Sequence, residues 1–345
     1  MTASNSVKIY TQTSPGELRA AAYDAKGRPF RLFSERWGGG RERARYGAVL
    51  EARLRKFVDT LRGAFCELDT GEQAFLRLTS REGLTEGQAV RVRIESEARF
   101  EKSARVVITD APLAAASGLK AWSDGLGAGT SLETIESTEW VAPAFEDALA
   151  PSVTLQGGGK LYVERTRALT AFDIDSAGRL DKGSAGARAL AINQDAIAEM
   201  ARQVSLRGLG GAVVLDCLSP INANAGDRLR AAAQRAFEQV ALVPAKVLKP
   251  SPLGLLEASV PWRYMPIEDA RAVHPAETEL LDLLRHVQAE ADAARTKFFT
   301  LSLGAPVWQA YQSRKSETDS ALHSQFAGRI SVRQSETDNS EVVIP

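Results

Sequence analysis

Residues 161–178, LYVERTRALTAFDIDSAG, and residues 208–216, GLGGAVVLD, decide how this chain is read. Residues 161–165 and 168–174 are short apolar runs separated by the polar Thr166 and Arg167, the pattern of two paired strands joined by a turn. The second run ends on acids. Asp173 and Asp175 stand two apart, so in extended backbone their side chains leave the same face of a sheet. A helical span, 185–207, follows. Gly210 and Gly211 then break the pattern, and residues 212–215 read as a fully buried strand that also ends on an acid, Asp216. A carboxylate at the end of a buried strand is costly to leave unpaired, so acids arriving from two strand ends suggest a shared cation. On spacing alone the plainer reading stands beside it: a D-x-D at a strand end is more often a cap, a turn or half of an ion pair with an arginine.

The same residues carry a resemblance. The run 169–176, LTAFDIDS, is followed by Asn193, by 197–203 (IAEMARQ), by 206–211 (LRGLGG) and by 214–216 (VLD). That order of motifs resembles the catalytic half of the ribonuclease E/G family, and 253–257, LGLLE, matches the family's next strand. The resemblance implies a magnesium-dependent endoribonuclease acting on single-stranded RNA in RNA processing or decay. In it, Asp173 and Asp216 would hold the Mg²⁺ that activates water, and Asp175 would orient or supplement them as a third catalytic residue. The family has an asparagine at the position of Asp175. Two further departures are Ser219, where the family carries a second acid, and residues 260–262 (VPW), where basic residues normally follow the last strand and only Arg263 remains near. The alternative reading is a non-catalytic single-stranded RNA-binding protein whose acid site is vestigial.

Composition bounds the rest. The 345 residues are 44% hydrophobic and 25% charged, which gives a globular chain long enough for several domains. Its 43 basic and 43 acidic residues cancel, so any nucleic-acid site has to be local. Cys66 and Cys217 are the only cysteines and both fall in apolar strands, which excludes a disulfide framework and a cysteine-rich zinc site. The three histidines, 274, 286 and 323, are scattered and suggest no Ser-His-Asp or metal cluster. No apolar run is long enough to span a bilayer and no signal sequence opens the chain, so the expectation is a cytoplasmic protein with no membrane partner. The oligomeric state, a homodimer included, is left open.

Residues 45–110 read as successive strands at 46–54, 63–68, 73–78, 89–94 and 104–108, which suggests a small closed barrel. This stretch resembles the S1-type OB barrel of the same family. Phe65 and Phe75 occupy its base-stacking positions and Lys102 its basic strand-end position. Arg41, Arg43, Arg45, Arg53, Arg55, Lys56 and Arg62 outnumber Glu42, Glu51 and Asp59, so the barrel is the locally basic part of the chain, with Arg53 and Lys56 as candidate phosphate contacts. Neither Gly38 to Gly40 nor Gly157 to Gly159 has the strand-to-helix setting of a phosphate cradle, and both read as turns.

The expected fold class is therefore α+β and multi-domain. Short strands of a ribonuclease-H-like layer occupy 1–40, the barrel 41–110, a small-residue linker 111–145, a DNase-I-like α/β subdomain 146–265, a small α/β C-terminal domain 266–335 and a polar tail 336–345. In the subdomain, Ile197, Met200, Ala201 and Val204 form one face of a helix, with Asp195, Glu199, Arg202 and Gln203 on the other. The linker leaves no room for the sensor with which full members of the family read an RNA 5′ monophosphate. Past Pro266 no Cys-x-x-Cys appears, so the zinc link of larger relatives is absent.

Overall fold

The structure, a computed structural model, describes residues 7–37, 44–80, 83–99, 102–114, 118–126, 133–177, 179, 182–241 and 244–343. The turn expected at 38–40 and the basic residues Arg41 and Arg43 lie outside them. In chain order the strands and helices begin with β1 (Lys8–Ser14), β2 (Glu17–Tyr23), β3 (Pro29–Arg36), β4 (Val49–Val58), β5 (Gly63–Leu68), β6 (Gln73–Arg77), β7 (Ala89–Ser96) and β8 (Ala104–Ile108). Then come α1 (Leu119–Asp124), β9 (Glu133–Glu136), α2 (Thr138–Leu149), β10 (Ser152–Thr154), β11 (Lys160–Arg165), β12 (Leu169–Asp175), α3 (Ala185–Leu206), β13 (Gly211–Asp216), α4 (Ala223–Ala236), β14 (Lys246–Val247) and β15 (Leu255–Val260). The chain closes with α5 (Ile267–Ala272), α6 (Pro275–Ala293), β16 (Phe299–Leu303), α7 (Ala305–Ser313), α8 (Lys315–Phe326), β17 (Ile330–Gln334) and β18 (Glu341–Val343). The architecture is multi-domain α+β.

Strands β4 to β8 close into a barrel in the order β4-β5-β6-β8-β7. Alternation sends Leu54, Ala64, Cys66, Ala74, Leu76, Val92, Ile94 and Val106 inward, so five short strands enclose one apolar core. The central sheet runs β10-β11-β12-β13-β15-β14, with β12 and β13 its parallel pair and the other neighbours antiparallel. One of its faces is buried under α3 and α4, where Phe172, Leu215 and Leu256 meet Ile197, Met200, Val204 and Leu229. Each such side chain contributes roughly 1.5–3 kcal/mol by leaving water. Gly211 turns into β13 with φ +84°, and a Cβ there would sit 2.9 Å from the Trp262 indole nitrogen, so only glycine lets the indole close on this strand start.

Two expectations are corrected here. Within the expected linker 111–145, β9 pairs parallel with β1 and completes a four-stranded N-terminal sheet in the order β3-β2-β1-β9. Helix α2, which begins in the same stretch, docks on that sheet: the Tyr23 hydroxyl donates to the Trp140 carbonyl (2.7 Å), and Tyr10 stacks on Trp140 at 5.0 Å. Four strand residues and a helix rich in alanine gave too short a periodic signal beside the glycines. The polar tail 336–345 is likewise not only a tail, because β18 pairs antiparallel with β16, which β17 flanks in parallel on its other edge. Helix α8 was also not expected; its buried residues are only Thr318, Leu322 and Phe326.

The N-terminal sheet is tied to α6 through one carboxylate. Glu17, with a side chain 1% exposed, receives Arg19 at 2.8 Å, Arg36 at 3.4 Å and the guanidinium of Arg285, while the Ser34 hydroxyl donates to it at 2.7 Å. Burial alone would raise its pKa, but the surrounding Arg19, Arg285 and Arg36 and the Ser34 hydrogen bond outweigh it and hold the group below its ordinary 4.5. A depressed carboxylate stabilises the fold above its unfolded pKa, and that stability is lost as pH falls through the folded value. Glu17→Gln removes the buried charge that three guanidiniums share and leaves Arg19 and Arg285 with Asp282 and Arg36 with Glu277, and it is expected to cost about 3 kcal/mol at neutral pH. In urea unfolding the gap to wild type should narrow on acidification below 4.5; a constant gap would show that the charge is not what stabilises this joint.

Candidate functional site

In β12, Phe172 and Ile174 enter the core beneath α3, so Ala171, Asp173 and Asp175 face the other way. In β13, Val213 and Leu215 do the same and leave Val214 and Asp216 outward. The parallel register runs from Leu169 beside Ala212 to Phe172 beside Leu215. One further step places Asp173 beside Asp216, on backbones about 4.8 Å apart. The two acids thus share one face at the same level of adjacent strands. That face is open: Tyr162, Glu164, Asp173, Asp216, Glu257 and Ser259 on it are all exposed.

The surroundings of the pair are anionic. Tyr162 lies across from Asp173 in β11, and Glu164 and Glu257 flank the next row of the sheet. Asp173 and Asp216 make no ion pair or side-chain hydrogen bond among the described residues. The strand-end carboxylates therefore do not take the ion-pair form of the plainer reading. Asp175 is different: its Oδ1 accepts from the Ala177 N–H at 2.9 Å, and its register partner is Lys160. It shares the face with Asp173 but closes its own turn.

The loop leaving Asp216 is held by Asn193, which is fully buried on α3. Its Nδ2 donates to the Leu218 carbonyl (2.9 Å) and its Oδ1 accepts from the Leu218 N–H (2.8 Å). The Cys217 N–H donates to the Gly254 carbonyl at 3.1 Å, closing the loop onto the turn before β15. Burial first, and the neighbouring Asp216 charge after it, push the Cys217 thiol up to about 12, so it is no nucleophile.

On the barrel, Phe65 and Phe75 are directly paired across β5 and β6 and meet at 5.3 Å with rings inclined by 68°. Both are half-buried and neither belongs to the barrel core. Gly63 makes this possible, since a Cβ there would lie 2.4 Å from the end of the Phe75 ring. The register extends the pair into a row: Lys56 stands opposite Phe65, and Arg105 opposite Phe75. Both cations are exposed. Arg105 was missed in the sequence, where it read as one of many strand arginines; its place three residues after Lys102 was the available signal. Exposed Lys102 precedes β8 and is bridged to Arg99, and Arg53 is exposed on β4, spending one N–H on the Gly87 carbonyl at 2.8 Å. The acids and the aromatic row therefore occupy different sheets.

Two hard oxygen donors side by side, with room for water, suit a small divalent cation that keeps part of its hydration shell. No third His, Cys, Asp or Glu joins them in a metal-sized group among the described residues. This defines the class: a multi-domain α+β protein that joins a closed barrel with an outward aromatic pair to an α/β sheet ending in exposed aspartates. The chain belongs to the ribonuclease E/G family, whose model matches residues 73–260 and so takes in the aspartates and part of the barrel. It is similar to ribonuclease E of Haemophilus influenzae (44% identical over 72 residues, 21% of this chain and 8% of that protein) and of Escherichia coli (42% over 72 residues, 21% and 7%). Ribonuclease E of Synechocystis is 36% identical over 76 residues, 22% of this chain and 11% of that protein. The chain thus matches only about a tenth of the length of these relatives.

Asn193→Ala removes both hydrogen bonds to the backbone N–H and C=O of Leu218 and leaves them unsatisfied in a part-buried loop. The expected loss is about 2–4 kcal/mol in denaturant unfolding, from two bonds and the desolvated groups they leave. A loss below about 0.5 kcal/mol would mean that the loop is held otherwise.

Proposed function

We propose that the chain is a magnesium-dependent endoribonuclease for single-stranded RNA. The observation that carries this is the register of β12 and β13, which sets Asp173 and Asp216 side by side on an open face with no basic partner among the described residues. Asp173 and Asp216 would hold the ion. When bound, it would lower the pKa of a coordinated water and neutralise phosphate charge. Support comes from the family and from the names of the matched relatives, ribonuclease E in each case.

The chain's own residues divide the work. Phe65 and Phe75 offer faces on which bases stack, and Lys56 and Arg105 at the two ends of their row attract the phosphates between. Lys102 and Arg53 add cationic charge around the same barrel. Asp175, committed to its turn, stiffens the end of β12 and so positions Asp173. Tyr162, beside Asp173, bounds the site on the β11 side. RNA binding thus rests on the barrel and cleavage on the sheet.

The test is cleavage of one unstructured fluorescent RNA across a magnesium titration. Asp173→Asn and Asp216→Asn should each bring magnesium-dependent cleavage to background while RNA binding persists, and Asp175→Asn should be tolerated or raise activity. Full activity in Asp173→Asn would remove the assigned site. A wild type that binds RNA but never cuts it, with or without magnesium, would make this a binding protein with a vestigial site.

The barrel is tested separately. Replacing Phe65 and Phe75 together by Leu nearly keeps volume, and should weaken binding to single-stranded RNA by about 1–3 kcal/mol per stacked base with a melting temperature near wild type. Unchanged affinity would show that the pair has a packing role alone.

A further inference from the structure

A cavity of about 890 Å³ lies away from both sites, walled by β3, the barrel segments 45–47 and 97–99, α1, the end of α3, the 264–267 turn, α5 and the start of α6. None of Asp173, Asp175, Asp216, Phe65 or Phe75 lines it. Its size falls in the range of small-ligand sites, about 300–1,000 Å³. Among the described lining residues are Arg31, Arg36, Arg45, Arg99, Arg207 and Arg314, against Glu72, Glu97 and Glu277.

The glutamates are largely spent on the protein itself. Glu97 accepts the Tyr46 N–H at 3.1 Å through one oxygen and the Met265 N–H at 3.0 Å through the other, and Glu72 accepts the Ala44 N–H. Arg207 is held by Gln203 (2.6 Å) and the Ala150 carbonyl (2.6 Å), and Arg36 lies near Glu17 and Glu277. Arg45 and Arg99 differ. Arg45 donates to the Ser34 carbonyl at 3.1 Å; Arg99, 7% exposed, donates to the Ser96 hydroxyl at 3.0 Å and lies over the Trp262 ring at 4.2 Å. Neither makes a direct ion pair or hydrogen bond with a carboxylate among the described residues, and Asp269 acts on Arg99 only from beyond that range. A buried guanidinium with only neutral partners is expensive, and an anion in the cavity would balance it. Burial first, and the neighbouring Arg105 charge after it, push the Arg99 pKa down to about 10, and the Asp269 carboxylate opposes them only in part.

The remaining wall is aromatic, with Tyr46 and Tyr264 in edge contact at 5.3 Å and with Trp37 and Trp122. Guanidiniums beside aromatic faces match a phosphate joined to a planar base. Because the walls come from separate units of the chain, the hollow suits a compact molecule over a polymer that must pass through. We propose that this cavity binds a free mononucleotide, a phosphate monoester on an aromatic base, through Arg45 and Arg99.

The test is calorimetry on the Asp173→Asn protein with three probes: 5′-AMP, adenosine, and a 5′-phosphorylated tetra-adenylate. AMP should bind, and adenosine about tenfold or more weaker, since it lacks the charge that the arginines would meet. Arg45→Gln and Arg99→Gln should each weaken AMP by about tenfold, and Arg45→Lys should restore part of the loss. Half-exposed Arg45 decides the matter if Arg99→Gln lowers the melting temperature. No AMP binding, AMP binding indifferent to Arg45→Gln, or binding of the tetranucleotide with none of AMP would each overturn the proposal. A protein that fails to cut RNA leaves it untouched, because the cavity is lined by none of the residues assigned to cleavage and the decisive readout is AMP binding and its dependence on Arg45.

Discussion

Helix α3 is the constraint on which the rest depends, because it is buried on both sides. Its apolar face, Ile197, Met200, Ala201 and Val204, fills the space under β12 and β13. Its polar face meets the N-terminal layer. There Arg202 binds Glu199 and Asp147 (2.7 Å) and donates to the Pro29 carbonyl (2.7 Å), while Gln203 bridges Asp147 (2.9 Å) to Arg207 (2.6 Å). Burial works against the Arg202 charge, yet the Glu199 and Asp147 carboxylates outweigh it and keep the guanidinium above its ordinary pKa. A charge network this dry tolerates little displacement, since removing one member leaves the others uncompensated. The helix therefore fixes the height of both strands, and with them the level at which Asp173 and Asp216 emerge.

The same rigidity explains how two acids are held adjacent on neighbouring strands. Like charges on neighbouring strands repel, but one register step would turn both aspartates into the core and Phe172 and Leu215 out of it. Core burial wins that contest, so the sheet imposes the repulsion on the carboxylates, and a bound cation would relieve it. The barrel is arranged on another principle: its core is small and aliphatic, and the two large rings are left outside over Gly63, between Lys56 and Arg105.

Much of this was legible in the sequence. The strand-end acids, the turn at Thr166 and the five barrel strands all follow from alternation and punctuation, and Phe65 and Phe75, singled out in the sequence, stand paired outside the barrel core. What was not legible came from contacts distant in the chain. Glu199, Arg202 and Gln203 read as an ordinary polar helix face, because nothing local announces that Asp147 and the Pro29 carbonyl cover it. Strand β9 was hidden because four residues beside a glycine-rich stretch carry no period, and its partner β1 lies more than a hundred residues earlier. Arg105 became notable only when the register set it against Phe75, and Asp175, singled out in the sequence, gave no sign there of the hydrogen bond with which it closes its own turn.

The central claim is that Asp173 and Asp216 form one cation site. Its most direct measurement is Mn²⁺ binding, followed by electron paramagnetic resonance, in wild type and in Asp173→Asn and Asp216→Asn, with Mn²⁺ standing in for Mg²⁺ at a hard oxygen site. The account predicts a bound ion in wild type that Mg²⁺ displaces and that either substitution abolishes. Equal Mn²⁺ binding by all three proteins would contradict it.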